Sequence, residues 1–387
     1  AYRPFSVMES CTSNANPPIE TKIIPWRNLF MSKKPVILLG MLRVNKMESL
    51  VIDYLKKYGF EVVDISYNHI APPFKYKSLG MRLDTFVRKN ILREKDVKKK
   101  LIEEMARSHF EAIHKKISEL IDNYESFDYA LILGGQVYPK DLLLKIKQKT
   151  KKSMVAYQPD GMDRFPQAKE TIEFFDRFYA FDPQDIKKYT SLLYPASNFY
   201  FENLAENPEI SSDFYFIGAH LPILKRDQAI ATFARHAAEK NWNLDFTIFH
   251  IDQGSLSLHH EIYPENIKAT LQPISFAENI CREQQSKVLL DFKTPIHTGL
   301  SFRTIEAVGY HKKLITTNVH VAEYDFYHPN NIYIWDEKTF DGLDEFLESP
   351  YHELPAKIYQ KYSFRNWVNY VLDISPYIVI GLPEADS

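Results

Sequence analysis

Residues 287–318 read KVLLDFKTPIHTGLSFRTIEAVGYHKKLITTN, and the order of their apolar runs decides the fold. A short apolar run over 287–291 ends at Asp291 and predicts a buried strand. A loop with Pro295 and Gly299 leads into helical spacing over 302–309, and 313–317 returns to a short strand. Strand, helix and strand in this order predict a parallel βαβ unit. The alternation continues outward. Upstream it predicts a strand at 214–218, a helix at 224–240, a strand at 245–250 and a helix near 275–285; downstream it predicts a strand at 332–335. A polar stretch at 202–212, ENLAENPEISS, contains Pro208 and reads as a linker. Before it lie strands at 36–41, 61–66, 127–133, 153–158 and 177–181. Helices are expected between them at 45–58, closed by Gly59, at 96–124 and at 139–150. An amphipathic helix over 355–371 ends the pattern, with Ile358, Tyr362, Trp367 and Val371 on one face. The expectation is an α/β chain of two similar parallel units and a closing helix. Residues 1–32 are polar and without period and read as an extension; the tail after Asp373 reads as irregular.

A length of 387 residues suits two domains. The hydrophobic fraction of 45% supplies two cores and excludes a disordered, collagen-like or disulfide-scaffold chain. Lysine plus arginine total 48 against 50 acids, so no global charge pulls toward nucleic acid. Glycine is scarce: 12 residues, about 3%, where roughly 7% is ordinary. No G-x-G-x-x-G occurs, which excludes a glycine-rich dinucleotide loop. Several of the glycines instead fall at expected strand ends: Gly40, Gly134, Gly135, Gly218 and Gly299. Cys11 and Cys281 lie far apart and read as free thiols of a cytosolic protein. No run reaches the ~18 apolar residues of a membrane span. The first residues lack a charged region followed by an apolar core, so the expected location is cytoplasmic.

Ligands of open parallel sheets bind beyond the carboxyl ends of strands. The loop after Asp291 sits at such an end, and a helix N-terminus there offers free N–H groups to an anion. His297, Thr298, Gly299, Leu300, Ser301 and Arg303 are therefore anion-site candidates, with Glu306 set to accept hydrogen bonds from ribose hydroxyls. The plainer reading is a helix start with Ser301 as N-cap and Glu306 in solvent. Gly218 and His220, then Lys225 and Arg226, follow the strand at 214–218 and form a second candidate. Positive charge there would suit an anion at the strand end; the alternative is surface charge at a helix start. After the strand at 153–158, Asp160 is the first candidate for a general base and Asp163 the second. The competing reading is an Asp-Gly turn with Arg164 paired to a carboxylate. His259, His260 and Glu261, read on a strand, would point to opposite faces with no third ligand nearby, so no metal is expected. Lys140, Lys145, Lys147, Lys149, Lys151 and Lys152 crowd one helix and its exit. They read as a solvated face, or as a patch that holds an anionic bilayer.

The segment GLSFRTIEAVGYHKKLITTN, followed by YDFYHPNNIYIWD, resembles the nucleotide-sugar half of GT-B glycosyltransferases of bacterial lipopolysaccharide and capsule synthesis. FDYALILGG, VAYQPDGMDRFP, FYAFDPQD and SDFYFIGAHLPILKR resemble the same group, and the resemblance spans roughly residues 34–373. It implies two Rossmann-like domains facing across a cleft, an acceptor domain at 33–205 and a nucleotide-sugar domain at 206–350, with a helix in 351–387 crossing back. It implies Glu306 on the donor ribose, the Thr298–Leu300 turn and Arg303 on the phosphates, and a basic residue at Lys225 or Arg226 by the leaving group. Partners implied are a nucleotide-sugar donor, a glycan or lipid-linked acceptor and a peripheral membrane contact, with no metal cofactor and no nucleic acid. Many retaining members carry a glutamate eight residues before the ribose glutamate; here that residue is Thr298, which leaves the stereochemical course open. An epimerase or phosphorylase on the same scaffold, or a non-catalytic two-lobed binding protein, would share this pattern.

Overall fold

The computed structural model describes residues 34–91, 93–202 and 208–384, and from Pro35 onward the chain forms one compact unit. The extension at 1–32 with Cys11, and residues 203–207 of the linker, lie outside the described residues. Strands β1 (Val36–Gly40), β2 (Glu61–Asp64), β3 (Phe127–Leu133), β4 (Thr150–Gln158), β5 (Arg177–Ala180) and β6 (Tyr194–Pro195) form the first sheet, in the order β2-β1-β3-β4-β5-β6. Strands β7 (Ser212–Ala219), β8 (Leu244–Phe249), β9 (Lys268–Thr270), β10 (Ser286–Asp291), β11 (Lys313–Thr316) and β12 (Ile332–Ile334) form the second, in the order β12-β11-β10-β7-β8-β9. Every pairing is parallel, with Leu289 opposite Leu314 and opposite Tyr215 as the central register of the second sheet. Strand order reverses between β1 and β3 and again between β7 and β10, and these reversals open crevices at the carboxyl ends.

The crossover helices are α1 (Met47–Lys57), α2 (Leu79–Asn90), α3 (Val97–Asp122), α4 (Lys140–Lys149) and α5 (Pro183–Lys188) in the first lobe. The second lobe has α6 (Asp227–Glu239), α7 (Gln253–Ser257), α8 (His259–Ile262), α9 (Phe276–Gln284), α10 (Phe302–Gly309) and α11 (Leu343–Glu348), followed by α12 (Ala356–Tyr362) and α13 (Phe364–Leu372). Strands and long helices fall where apolar periodicity placed them. The short strands β6 and β9, of two and three residues, show no period, and helix α2 lies outside the expected elements. The lysines of α4 are mostly engaged within the lobe: Lys145 with Ser118 and Asp122, Lys147 with Asp176, Lys149 with the carbonyls of Ile121 and Tyr124. These three lysines are matched within their own lobe, while Lys151 and Lys152 are exposed. Among the described residues no helix is long and apolar enough to cross a membrane.

The expected single helix at 355–371 is broken at Ser363, whose backbone is extended (φ −68°, ψ 150°). The reason is a pairing with the segment that leaves β6. Tyr200 donates its N–H to the Tyr362 carbonyl (3.1 Å) and accepts from the Phe364 N–H (2.8 Å). Ser363 also caps α13 by accepting from the Asn366 N–H (3.2 Å). The break turns α13 back onto the first lobe, where Trp367 packs on Tyr157 and Phe199 at ring-centroid distances of 5.0 and 4.7 Å. Its indole N–H donates to the Ser197 carbonyl (3.0 Å). The tail beyond Asp373 is irregular yet anchored: Ile380 is buried, and the Ile378 N–H donates to the Asn366 side chain. Truncation of Trp367 to alanine should therefore cost ~3–5 kcal/mol and lower the urea midpoint accordingly. A midpoint within experimental error of the wild type would show that α13 does not hold the lobes.

Candidate functional site

The crevice at the β7/β10 reversal is built around one ring. Phe216, inward on β7, lies 5.5 Å from the guanidinium carbon of Arg226 and 4.9 Å from that of Arg303. Arg226 Nη2 donates to the Ala219 carbonyl (3.2 Å) and Arg303 Nη2 to the Ile217 carbonyl (2.8 Å), so the strand end holds both cations. A Cβ on Gly218 would meet Arg226 Nη2 at 2.6 Å and the Phe216 ring at 2.8 Å, so a side chain there would displace the stacked guanidinium. The Nε atoms of both arginines are buried without a hydrogen-bond partner. Burial and the neighbouring Arg303 push the Arg226 guanidinium below its ordinary range. The two arginines line a cavity of about 250 Å³ with Arg164, Lys293 and His297, against a single carboxylate, Asp291. Buried like charges with unused N–H groups are costly unless an anion joins them.

A larger groove, about 670 Å³, adjoins this cavity through Ile217, Ser301 and Arg303. Ile70, Pro273, Ile274 and Phe276 give it apolar walls, and Glu306 lies at its inner end. Glu306 is not solvated. It is 2% exposed and lies beside Glu283 of α9, which is fully buried, and Glu283 Oε2 and Glu306 Oε1 have no hydrogen-bond partner. Asn279 Nδ2 donates to Glu283 Oε1 (2.9 Å), and the Tyr215 hydroxyl donates to Asn279 Oδ1 (2.8 Å). Arg303 Nε stands 3.9 Å from Glu283 Oε1. Burial raises both carboxyls, Glu283 raises Glu306 further, and Arg303 opposes the rise of each. Sequence reading missed Glu283; its only signal was a polar i, i+4 pair, Asn279 and Glu283, on the face of α9 that packs inward.

The loop before α10 serves the lobe contact more than an anion. The Thr298 N–H donates to Asp182 Oδ2 (3.1 Å), and its hydroxyl also bonds Asp182. A Cβ on Gly299 would meet the Phe181 ring at 2.6 Å. The Leu300 carbonyl accepts from Asn198 Nδ2 (2.9 Å), and Leu300 is buried. The expected phosphate-binding turn thus spends the Thr298 N–H and the space at Gly299 on the first lobe, because the lobes meet there. Ser301 caps α10 by accepting from the Thr304 N–H (3.3 Å), as the plainer reading has it, and it also lines both cavities. His297 packs its ring on Phe181 and reaches the Gly299 carbonyl (3.1 Å).

The remaining candidates divide. Lys225 is exposed, in a left-handed turn (φ 49°), and lines none of these cavities. His220 bonds the Tyr263 hydroxyl (3.1 Å), lies 3.3 Å from Asp227 and lines neither the cation cavity nor the groove beside it. Asp160 pairs with Arg164 (2.9 Å), the arrangement of the Asp-Gly-turn reading, and Arg164 carries that turn into the cation cavity. Asp163 is exposed and held by Lys188 (2.7 Å) and Lys169 (3.4 Å). A third cavity, about 580 Å³, lies between the lobes and adjoins the cation cavity at Lys293 and His297. Asp163, Asp182 and Asp185 line it. Asp185, a residue that sequence reading did not single out, is raised to about 6 by burial, although it accepts the Met162 N–H. His259 and His260 lie on the short helix α8 rather than on a strand, and both ring nitrogens of His259 are taken, by His250 and the Ile267 carbonyl.

No protein-family model matches this chain, and no curated protein sequence matches it. Among solved structures, an α-glucosyltransferase in complex with UDP and a 13-mer DNA containing an HMU base aligns with a TM-score of 0.52 at 12% identity, over 87% of this chain and 93% of that one. The S. aureus MnaA–UDP structure aligns at 0.47 and 12% identity, over 90% and 100%. The apo form of the lipopolysaccharide outer core galactosyltransferase WaaB aligns at 0.39 and 15%, over 81% and 88%. The fold is GT-B: two parallel six-stranded α/β lobes facing across a cleft. The expectation that nucleic acid is not a partner finds no support here, because the first of these structures contains DNA.

The Glu283–Glu306 pair has a pH signature. Its folded-state carboxyls lie above the ordinary glutamate range, so the folded protein keeps a proton that the unfolded chain releases. Stability is therefore full at acid pH and falls as pH rises above the unfolded value. Glu306→Gln, neutral throughout, should gain on the wild type from about pH 5 to pH 8, by at most about 1.4 kcal/mol per pH unit for each proton. Urea unfolding of both proteins across that range checks this; a stability difference independent of pH would contradict carboxyls raised in the folded state.

Proposed function

We propose that the chain is a metal-independent glycosyltransferase that takes a nucleotide-sugar donor. The observation that carries this reading is the pair Arg226 and Arg303, stacked on Phe216 at the β7/β10 reversal with unused N–H groups. In glycosyl transfer the bond from the sugar C1 to the diphosphate oxygen breaks, the oxygen keeps the electron pair, and an acceptor hydroxyl oxygen bonds to C1. Two pre-set guanidiniums stabilise the charge that grows on the departing diphosphate. The nucleoside occupies the apolar groove, with Glu306 and Arg303 at its inner end, and the acceptor enters the cavity between the lobes.

The acceptor proton goes to a carboxylate of the first lobe. Asp160 is the candidate from sequence, but its carboxylate is engaged by Arg164 at 2.9 Å. Asp185, buried and raised to about 6, matches a base working near neutral pH and faces the inter-lobe cavity. A glycan or glycolipid of bacterial surface polysaccharide or lipooligosaccharide synthesis is the acceptor class proposed. The resemblance carried by residues 299–318 and by YDFYHPNNIYIWD supports it.

Thermal-shift measurement against UDP, GDP, CMP and their sugar conjugates tests the donor site. A nucleotide at 100 times its dissociation constant should stabilise by about 2.7 kcal/mol. Arg226→Gln should weaken that nucleotide about 10- to 100-fold, the worth of a charged hydrogen bond, while the free protein is no less stable because a like charge is gone. Silence from every nucleotide would sink the reading. With donor and acceptor supplied, Asp185→Asn should abolish transfer and keep donor binding; loss in Asp160→Asn alone would return the base to Asp160. A product epimerised within the nucleotide sugar, with no transfer, would identify an epimerase instead.

A further inference from the structure

Helix α2 turns its apolar side to solvent. Leu79, Leu83 and Phe86 follow one another at four and three residues and so share a face. They are 83%, 65% and 59% exposed, and Ile91, just past the helix, is 67% exposed. Thr85 is the only buried residue of the helix. At about 100° per residue, Arg82 and Lys89 flank the apolar stripe along one edge. Neither makes an ion pair among the described residues. Asp84 points to the other side and lies 3.8 Å from Arg88. From residue 75 to residue 100 there are ten lysines and arginines against three acids, in a chain whose net charge is −2. This differs from α4, whose lysines are mostly matched by acids and carbonyls of their own lobe. An ordinary surface helix shows the opposite pattern, polar outward and apolar inward.

We propose that α2 docks the protein onto an anionic lipid bilayer, lying in the headgroup layer with Leu79, Leu83 and Phe86 inserted and Arg82 and Lys89 against lipid phosphates. Charge complementarity selects this occupant: the stripe is apolar, its flank is basic, and the acid of the helix faces away. Long aliphatic side chains suit acyl chains better than they suit the stacked bases of a nucleic acid. The same segment starts at the nucleoside groove, whose wall includes His69 and Ile70, so docking brings that rim toward the bilayer. This docking stands apart from the nucleotide reading, since neither set of residues is shared by its decisive tests.

Flotation of the full chain with vesicles tests it. Vesicles of phosphatidylcholine mixed with phosphatidylglycerol should carry the protein upward, those of phosphatidylcholine alone should not, and added salt should weaken the effect. Leu83→Glu with Phe86→Glu should lower partitioning about tenfold or more, with the unfolding midpoint unchanged because both side chains are already exposed. Arg82→Glu with Lys89→Glu should remove the preference for phosphatidylglycerol. Lys151→Glu with Lys152→Glu, on the edge of the other lysine run, should change nothing. The proposal fails if the protein does not float with anionic vesicles, or if the Leu83/Phe86 variant floats like the wild type. It also fails if sedimentation finds a dimer that this variant breaks, since the stripe then covers a second copy. Retention of duplex DNA that is lost in the Arg82/Lys89 variant, without vesicle binding, would overturn it too.

Discussion

The rest of the molecule depends on an aromatic seam between the lobes. Phe199, Tyr200 and Phe201 leave the first sheet and meet Phe364 and Trp367 of the last helix, with Phe199 4.6 Å and Phe201 4.8 Å from the Phe364 ring. Gly309 closes the same contact from α10, for a Cβ there would lie 2.1 Å from the Tyr200 ring. These rings belong to one buried cluster that also holds Ile37 and Tyr157 of the first sheet and Leu289 and Leu314 of the second. Two lobes that share a core cannot slide freely over one another, and a dense aromatic core yields little to strain. The seam is also why the last helix breaks at Ser363.

A polar chain runs from that seam to the cleft. The Tyr157 hydroxyl donates to Asn198 Oδ1 (2.6 Å), and Asn198 Nδ2 donates to the Leu300 carbonyl. Asp182 takes the Thr298 N–H across the same boundary. The loop ahead of α10 is thereby pinned from the first lobe, and α10 brings Arg303 and Glu306 to the crevice at a set height. With both guanidiniums held by strand-end carbonyls, little reorganisation remains when an anion arrives, which is the condition under which fixed charge is most effective.

Much of this was legible in residue order. Parallel strands buried on both faces leave unbroken apolar runs, so both sheets could be read from the chain, and the β7–β10–β11 arrangement followed from residues 287–318. Arg226, Arg303, Ser301, Gly218 and Glu306 were singled out, and they converge on two adjoining cavities. Glu283, Asp182 and Asp185 were not. A carboxylate on a helix reads as solvated surface unless something shows that its face is covered, and nothing local does so for α9 or α5. The outward stripe of α2 was invisible for the converse reason: apolar side chains at helical spacing imply a core.

The amino-acid sequence by itself determined the alternation of strands and helices, the two-lobed α/β plan and the strand ends at which a ligand would bind. Those properties rest on local periodicity and on the handedness of parallel crossovers. Tertiary structure alone decided what each polar group does. It gave Gly299 to a contact with Phe181 rather than to a phosphate, paired Asp160 with Arg164, set Glu306 against a second buried carboxyl, and placed two arginines on one ring. The charge state and the hydrogen-bond partners of a side chain depend on the dielectric and on neighbours distant in sequence, which exist only once the lobes have closed on each other.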